Sequence, residues 1–80
     1  MSSRQKTLDS VCEYRQLPPL KVGAECEVNG RRGIIVGGNS SANLNVLFDG
    51  DNRYLNCHPY YKMRIFNGMG GVAYESEDCA

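Results

Sequence analysis

Apolar and polar residues alternate through the middle of the chain in a way that predicts β-strands. Residues 24–28 place Ala, Cys and Val between two glutamates, and this period of two is typical of a strand with one buried and one solvent-facing side. Four further strands are predicted from β-favouring runs at residues 31–36, 44–48, 53–57 and 62–66.

The connections between these runs carry strong turn signals. Asn29 and Gly30 both tolerate positive φ, as a two-residue type I′ hairpin turn requires. Residues 37–43 have the composition of a loop, and residues 49–52 predict a second tight turn. Pro59 separates the last two strands because it cannot donate to a β-ladder. Five short strands with short connections favour a small barrel over an open sheet, whose edges would stay exposed.

The segment before the strands predicts a short helix over residues 7–15. Thr7 is a suitable N-cap, and Leu8, Val11 and Cys12 form one narrow apolar stripe. A helix of two to three turns is only marginally stable alone. We therefore expect it to lie either on the barrel or on a partner.

Both ends of the chain are predicted to be appendages. Pro18 and Pro19 indicate a stiff, extended connector after the helix. Three glycines within residues 67–71 predict a flexible strap, which is followed by a short β-capable patch at 72–74 and an acidic run at 75–78. The expected organisation is an N-terminal arm at 1–20, a barrel at 21–66 and a flexible tail at 67–80.

Composition narrows the classes of function. Eighty residues allow one domain. Nine basic and nine acidic residues give zero formal net charge, which argues against a protein that binds nucleic acid mainly by neutralising phosphates. No apolar run resembles a signal peptide or a membrane span, so we expect a protein that is not secreted and has no membrane partner.

The four cysteines are Cys12, Cys26, Cys57 and Cys79. Cys26 and Cys57 fall on the apolar faces of predicted strands, where a free cysteine behaves as a small hydrophobic residue. Zinc sites usually bring ligands in close pairs. The only close pair here is Cys57 with His58, whose side chains leave a strand on opposite faces. We expect reduced, buried thiols and no metal.

Catalytic motifs are also missing from the sequence. Nucleophilic catalysis needs a nucleophile, a base and an orienting group, and His58 is the only histidine. The glycines at 33–38 are not followed by the Gly-Lys-Ser/Thr of a phosphate-binding loop. We expect neither enzymatic activity nor a cofactor.

Nucleic-acid binding is the main alternative that the residues support. Basic side chains fall at the first hairpin and on the last two strands, with a tyrosine available for stacking on bases. The candidate patch comprises Arg31, Arg32, Arg53, Tyr54, Lys62 and Arg64. The competing interpretation is that these charges only keep a small sheet soluble, and the neutral net charge favours it.

Two stretches resemble the SH3-like barrel family. Residues 28–37, Val-Asn-Gly-Arg-Arg-Gly-Ile-Ile-Val-Gly, are similar to the glycine-punctuated hairpin of its KOW branch. His-Pro-Tyr-Tyr at 58–61 stands where these barrels have a single 3₁₀ turn before the last strand. The resemblance implies a five-stranded SH3-like barrel of the KOW/Tudor-like branch. The aromatic cage of Tudor domains is not recognisable, so methyl-ligand binding is not implied.

A second resemblance concerns residues 35–39, 48–51 and 56–59, which are similar to small uncharacterised proteins of tailed bacteriophages. It implies a virion protein, such as a head decoration or cement protein or a connector component, located in the virion or the host cytoplasm. The expected function is a non-catalytic binding and assembly module, and the alternative is a KOW-like nucleic-acid-binding or regulatory protein. The arm residues expected to contact neighbouring protein subunits are Leu8, Val11, Cys12, Leu17, Leu20, Val72 and Tyr74.

Overall fold

The computed structural model describes residues 3–79, which form one antiparallel sheet and one N-terminal α-helix. In chain order the elements are α1 (Ser3–Arg15), β1 (Glu25–Val28), β2 (Arg31–Gly38), β3 (Leu44–Phe48), β4 (Leu55–Cys57), β5 (Met63–Phe66), β6 (Val72–Glu75) and a 3₁₀ turn at Glu77–Cys79. The strands lie in the order β4-β3-β2-β1-β5-β6.

The predominantly β architecture predicted from the sequence is confirmed, but the closed five-stranded barrel is wrong. The sheet has six strands, and β4 and β6 lie at its two ends. The sixth strand arises because the glycine-rich segment folds back as a hairpin loop, in which the Asn67 N–H donates to the Gly71 carbonyl at 3.0 Å. β6 then pairs with β5, with Ile65 opposite Tyr74. The C-terminal segment is therefore part of the sheet and not an extended tail.

The first hairpin has the predicted turn. Val28 pairs with Arg31, so two residues connect β1 to β2. Asn29 and Gly30 have φ values of 51° and 86°, which matches the positive φ that a type I′ turn requires at both positions.

The helix differs from its prediction at its start. It begins at Ser3, so Thr7 is an interior residue and not the N-cap. The Thr7 hydroxyl instead donates to the Arg4 carbonyl at 2.8 Å. At the other end Gln16 has φ of 58°, and the Leu17 N–H donates to the Cys12 carbonyl at 2.8 Å. This is the Schellman geometry that commonly ends a helix.

The core lies between α1 and the inner face of the sheet. Alternate residues of β1, β2, β3 and β5 point into it, as the period of two predicts. Its buried apolar members are Leu8, Val11, Cys12, Leu20, Cys26, Val28, Ile35, Leu44, Val46, Phe48, Cys57, Met63 and Ile65.

Candidate functional site

Four of the seven arm residues lie in the core of the chain itself. Leu8, Val11, Cys12 and Leu20 are between 0% and 6% exposed. Leu8, Val11 and Cys12 are buried because α1 rests against β2, so the apolar stripe of the helix packs within the chain. Leu20, from the connector after the helix, joins the same core. In this arrangement the four side chains are covered within the chain and are not exposed at its surface.

The N-terminal arm is also tied to the sheet unit by polar contacts. The Gln5 amide donates to the Leu20 carbonyl at 2.9 Å, and its oxygen accepts the Val22 N–H at 3.0 Å. At the other end of α1, Arg15 Nε donates to the Ala42 carbonyl at 2.9 Å. The helix and the proline connector are thus fixed at both ends.

The other three arm residues lie closer to the surface. Leu17 and Tyr74 are half-buried, and together with Tyr60 they line a cleft of about 640 Å³ between the two ends of the chain. The Tyr74 hydroxyl donates to the Pro59 carbonyl at 2.9 Å. Val72 is 49% exposed on β6. Of the residues predicted to contact a partner, Val72 is therefore the most accessible.

The acidic C-terminal run is fastened to β5. Ser76 is only 4% exposed, and its hydroxyl accepts the Met63 N–H at 2.9 Å and donates to Asp78 Oδ1 at 2.6 Å. The same carboxylate oxygen accepts the Lys62 N–H at 2.7 Å. The hydrogen bond from Ser76 lowers the pKa of Asp78 below its ordinary value. These contacts differ from the solvated tail expected from the sequence.

β6 is an edge strand, because no strand within residues 3–79 pairs with its outer side. The Ser76 N–H donates to the Met63 carbonyl at 2.8 Å, so the backbone groups of these two residues face each other at the end of the ladder. In an antiparallel ladder such pairs alternate with pairs whose backbone groups point away from each other. The N–H and carbonyl of Glu75 therefore point outward, where another strand can pair with them.

Three arginines of the predicted basic patch are neutralised by carboxylates. Arg64 lies 2.6 Å from Glu75 and 3.2 Å from Glu27. Arg32 lies 3.6 Å from Glu25 and 3.8 Å from Glu27. These pairs form a row across β6, β5, β1 and β2, and exposed pairs of this kind contribute little to stability. Their main effect is to cancel the positive charge of this face.

The first hairpin shows the same neutralisation. Arg31 lies 3.3 Å from Asp51, and its guanidinium stands 4.5 Å from the ring centroid of Phe48. Lys62 is elsewhere, with its ammonium 5.9 Å from the ring of Tyr61. The six residues of the predicted patch are thus spread over several places and do not form one basic surface.

Arg53 and Tyr54 belong to a different site. They line a cleft of about 520 Å³ with Arg4 of α1, Val36 of β2 and Leu47 of β3. Asn52 completes the lining. Arg4 was not predicted here, because the helix was predicted to start at residue 7 and only the longer helix brings residue 4 over β2.

Cys26 and Cys57 are buried as predicted. Cys26 is fully buried, and burial raises its pKa to about 12. Burial also raises the pKa values of Cys57 and Cys12. All three thiols are free and remain protonated near neutral pH, so they are poor nucleophiles.

Between residues 3 and 79, no group of three or more His, Cys, Asp or Glu side chains is arranged to hold a metal ion. No helix in that range is long and apolar enough to span a membrane.

Comparisons of the chain with protein-family models, curated proteins and solved structures returned no match.

Proposed function

We propose that this chain is a non-catalytic binding module that joins a larger protein assembly through its edge strand β6. The observation that carries the proposal is the outer side of β6, which no strand within residues 3–79 pairs with, and at which Val72 is 49% exposed and the backbone of Glu75 points outward. An exposed edge strand is a ready template for strand addition, in which main-chain hydrogen bonds provide affinity.

The order of the first five strands supports an SH3-like unit as the core of this module. These strands lie in the order β4-β3-β2-β1-β5. The first four pair in chain order, and β5 returns to pair with β1. A single turn separates β4 from β5, in which the Tyr61 N–H donates to the His58 carbonyl at 3.1 Å. That turn stands where the resemblance to SH3-like barrels expects a 3₁₀ turn. β6 is an addition to this unit.

The setting that we propose follows from the resemblance of residues 35–39, 48–51 and 56–59 to small phage proteins. In it the chain is a virion protein, such as a head decoration or cement protein or a connector component, and its partners are other protein subunits. Since α1 is occupied within the chain, the contact falls to β6 and not to the N-terminal arm.

The two edges of the sheet offer a matched test. Val72 on β6 and Leu55 on β4 are each 49% exposed, so a lysine at either position changes the surface to a similar extent. Val72→Lys should reduce incorporation into the purified assembly at least tenfold, because an edge lysine opposes strand pairing. Leu55→Lys should leave incorporation unchanged.

Hydrogen exchange gives an independent measurement on the same assembly. The outward amide of Glu75 should exchange freely in the isolated chain and become protected in the assembly. If Leu55→Lys is the variant that fails to incorporate, or if the Glu75 amide exchanges equally fast in both states, the assignment to β6 is wrong.

A further inference from the structure

The cleft lined by Arg4, Arg53 and Tyr54 has the chemistry of an anion-binding site with an aromatic wall. Arg4 comes from the first turn of α1, whereas Arg53 and Tyr54 come from the segment just before β4. Val36 and Leu47, both half-buried, supply its apolar side. Within residues 3–79 no carboxylate lines this cleft, although carboxylates accompany the arginines of the opposite sheet edge.

Arg53 differs from the other arginines of the predicted basic patch. Arg31, Arg32 and Arg64 each lie within 4 Å of a carboxylate. Arg53 has no ion pair, hydrogen bond or ring contact with any residue between 3 and 79. Its guanidinium is therefore directed at solvent beside the cleft, where a bidentate anion such as a phosphate can bind without displacing a carboxylate.

Tyr54 supplies a surface for a planar ring. Its side chain is 57% exposed, so its ring can be covered by a ligand. Aromatic side chains next to cations are the usual platform for unpaired bases, which stack on the ring while the backbone phosphate meets the cation. The apolar groups of Val36 and Leu47 extend the same wall.

From this arrangement we propose that the cleft binds one nucleotide unit of a single-stranded nucleic acid, with the phosphate at Arg53 and the base against Tyr54. A volume of about 520 Å³ suits a small ligand and not a duplex, whose paired bases could not reach the tyrosine. The site is separate from the proposed assembly contact, because the cleft lies on the β2–β3 side of the sheet and β6 lies at the far edge.

The zero net charge of the chain makes the salt dependence informative. A site that contacts one phosphate of a single strand should show a slope of about −0.7 in log affinity against log salt. A diffuse basic surface would give a steeper slope. The shallow slope and the dependence on Tyr54 are thus the expected signatures of this cleft.

The test uses the full chain and a fluorescently labelled 12-nucleotide single-stranded DNA, with fluorescence anisotropy as the readout. Arg53→Gln and Tyr54→Leu should each weaken binding at least fivefold. Arg31→Gln is the matched control, because it removes the same charge from an arginine that already faces Asp51. It should change affinity less than twofold. Circular dichroism checks that each variant is folded, and all three positions are exposed.

Two competitors identify the ligand. Unlabelled single strand should displace the probe at least tenfold more effectively than a duplex of the same length or free AMP. The proposal is overturned if the wild type does not bind the strand, or if Arg31→Gln and Arg53→Gln weaken binding equally. Displacement by AMP or by duplex as effective as displacement by the single strand would also overturn it.

Discussion

The backbone of Gly38 lies directly against the carbonyl of Thr7. A Cβ built on Gly38 would stand 2.5 Å from that oxygen and 2.6 Å from Cγ2 of Val11, both far closer than van der Waals contact. The Gly38 N–H also donates to the Thr7 hydroxyl at 3.2 Å. The missing side chain is thus what allows α1 to close over the end of β2 and bury its apolar stripe.

Substitution of Gly38 by alanine should therefore destabilise the fold by overpacking, by about 1–3 kcal/mol. Gly37→Ala is the control, because a Cβ there would meet its nearest atom, the Thr7 hydroxyl oxygen, at an ordinary 3.5 Å. Neither glycine has positive φ, so the two variants differ only in steric fit. Urea unfolding of the two variants measures the difference. Equal midpoints would mean that the helix does not pack this closely on β2.

The turn at Gly30 offers the opposite case, in which space is free and only the backbone angle matters. A Cβ on Gly30 would meet nothing within 4 Å, but its φ is 86°. Gly30→Val should cost roughly 1 kcal/mol or more, since a β-branched residue is strained at positive φ. Gly30→Asn should cost clearly less, because asparagine tolerates this region. Thermal unfolding that ranks valine at or above asparagine would contradict the turn geometry.

The sequence predicted this turn because its signal is local. Asn29 and Gly30 carry their own conformational preference, whichever segment surrounds them. The segment at Val72–Glu75 was predicted only as a short β-capable patch, because its place in the sheet depends on the loop before it, which returns the chain to β5. The residue at the helix end is a similar case. Gln16 adopts φ of 58° although glycine is the usual residue there, so composition did not mark the position.

The candidate site shows the same limit. Sequence placed Arg53 and Tyr54 in the same patch as Arg31, Arg32 and Arg64, because all are basic or aromatic residues on neighbouring strands. Whether a cation has a carboxylate beside it depends on cross-strand register, which the sequence did not specify. The pairing of Arg64 opposite Glu75, for example, requires that the segment at 72–75 pairs with β5, and the sequence predicted only a β-capable patch at 72–74 within a flexible tail.

Alkaline pH should destabilise the fold through Cys26. Its pKa is about 12 in the folded chain and near 9.0 in an unfolded one, because burial disfavours the thiolate. The folded state then holds a proton that the unfolded state releases, so stability is unaffected below about pH 8 and falls as pH rises from about 9 towards 12. One such thiol contributes a slope of at most about 1.4 kcal/mol per pH unit.

The measurement compares urea unfolding of wild type and Cys26→Ala at several pH values between 8 and 11. The variant will be less stable at pH 8, since it leaves a small cavity, but its stability should fall less steeply with pH. Other titrating groups affect both proteins equally, so the difference between the slopes isolates Cys26. Parallel pH profiles would contradict a buried, protonated thiol at this position.

The last prediction concerns whether α1 is an arm or part of the fold. Leu8 is fully buried, whereas Tyr14 on the same helix is 73% exposed. Leu8→Ala should lower the free energy of unfolding by about 2–5 kcal/mol, the usual cost of a cavity in a core. Such a loss is a large part of the stability of a domain of this size. Tyr14→Ala should change the free energy of unfolding by no more than about 0.5 kcal/mol.

Deletion of residues 1–16 should leave an unfolded chain, because it also removes Val11 and Cys12 from the core. An arm that only docks on other subunits behaves differently: its deletion, or Leu8→Ala, would leave the sheet fully folded in the isolated chain. Circular dichroism and urea unfolding of the isolated chain distinguish these outcomes without requiring any partner.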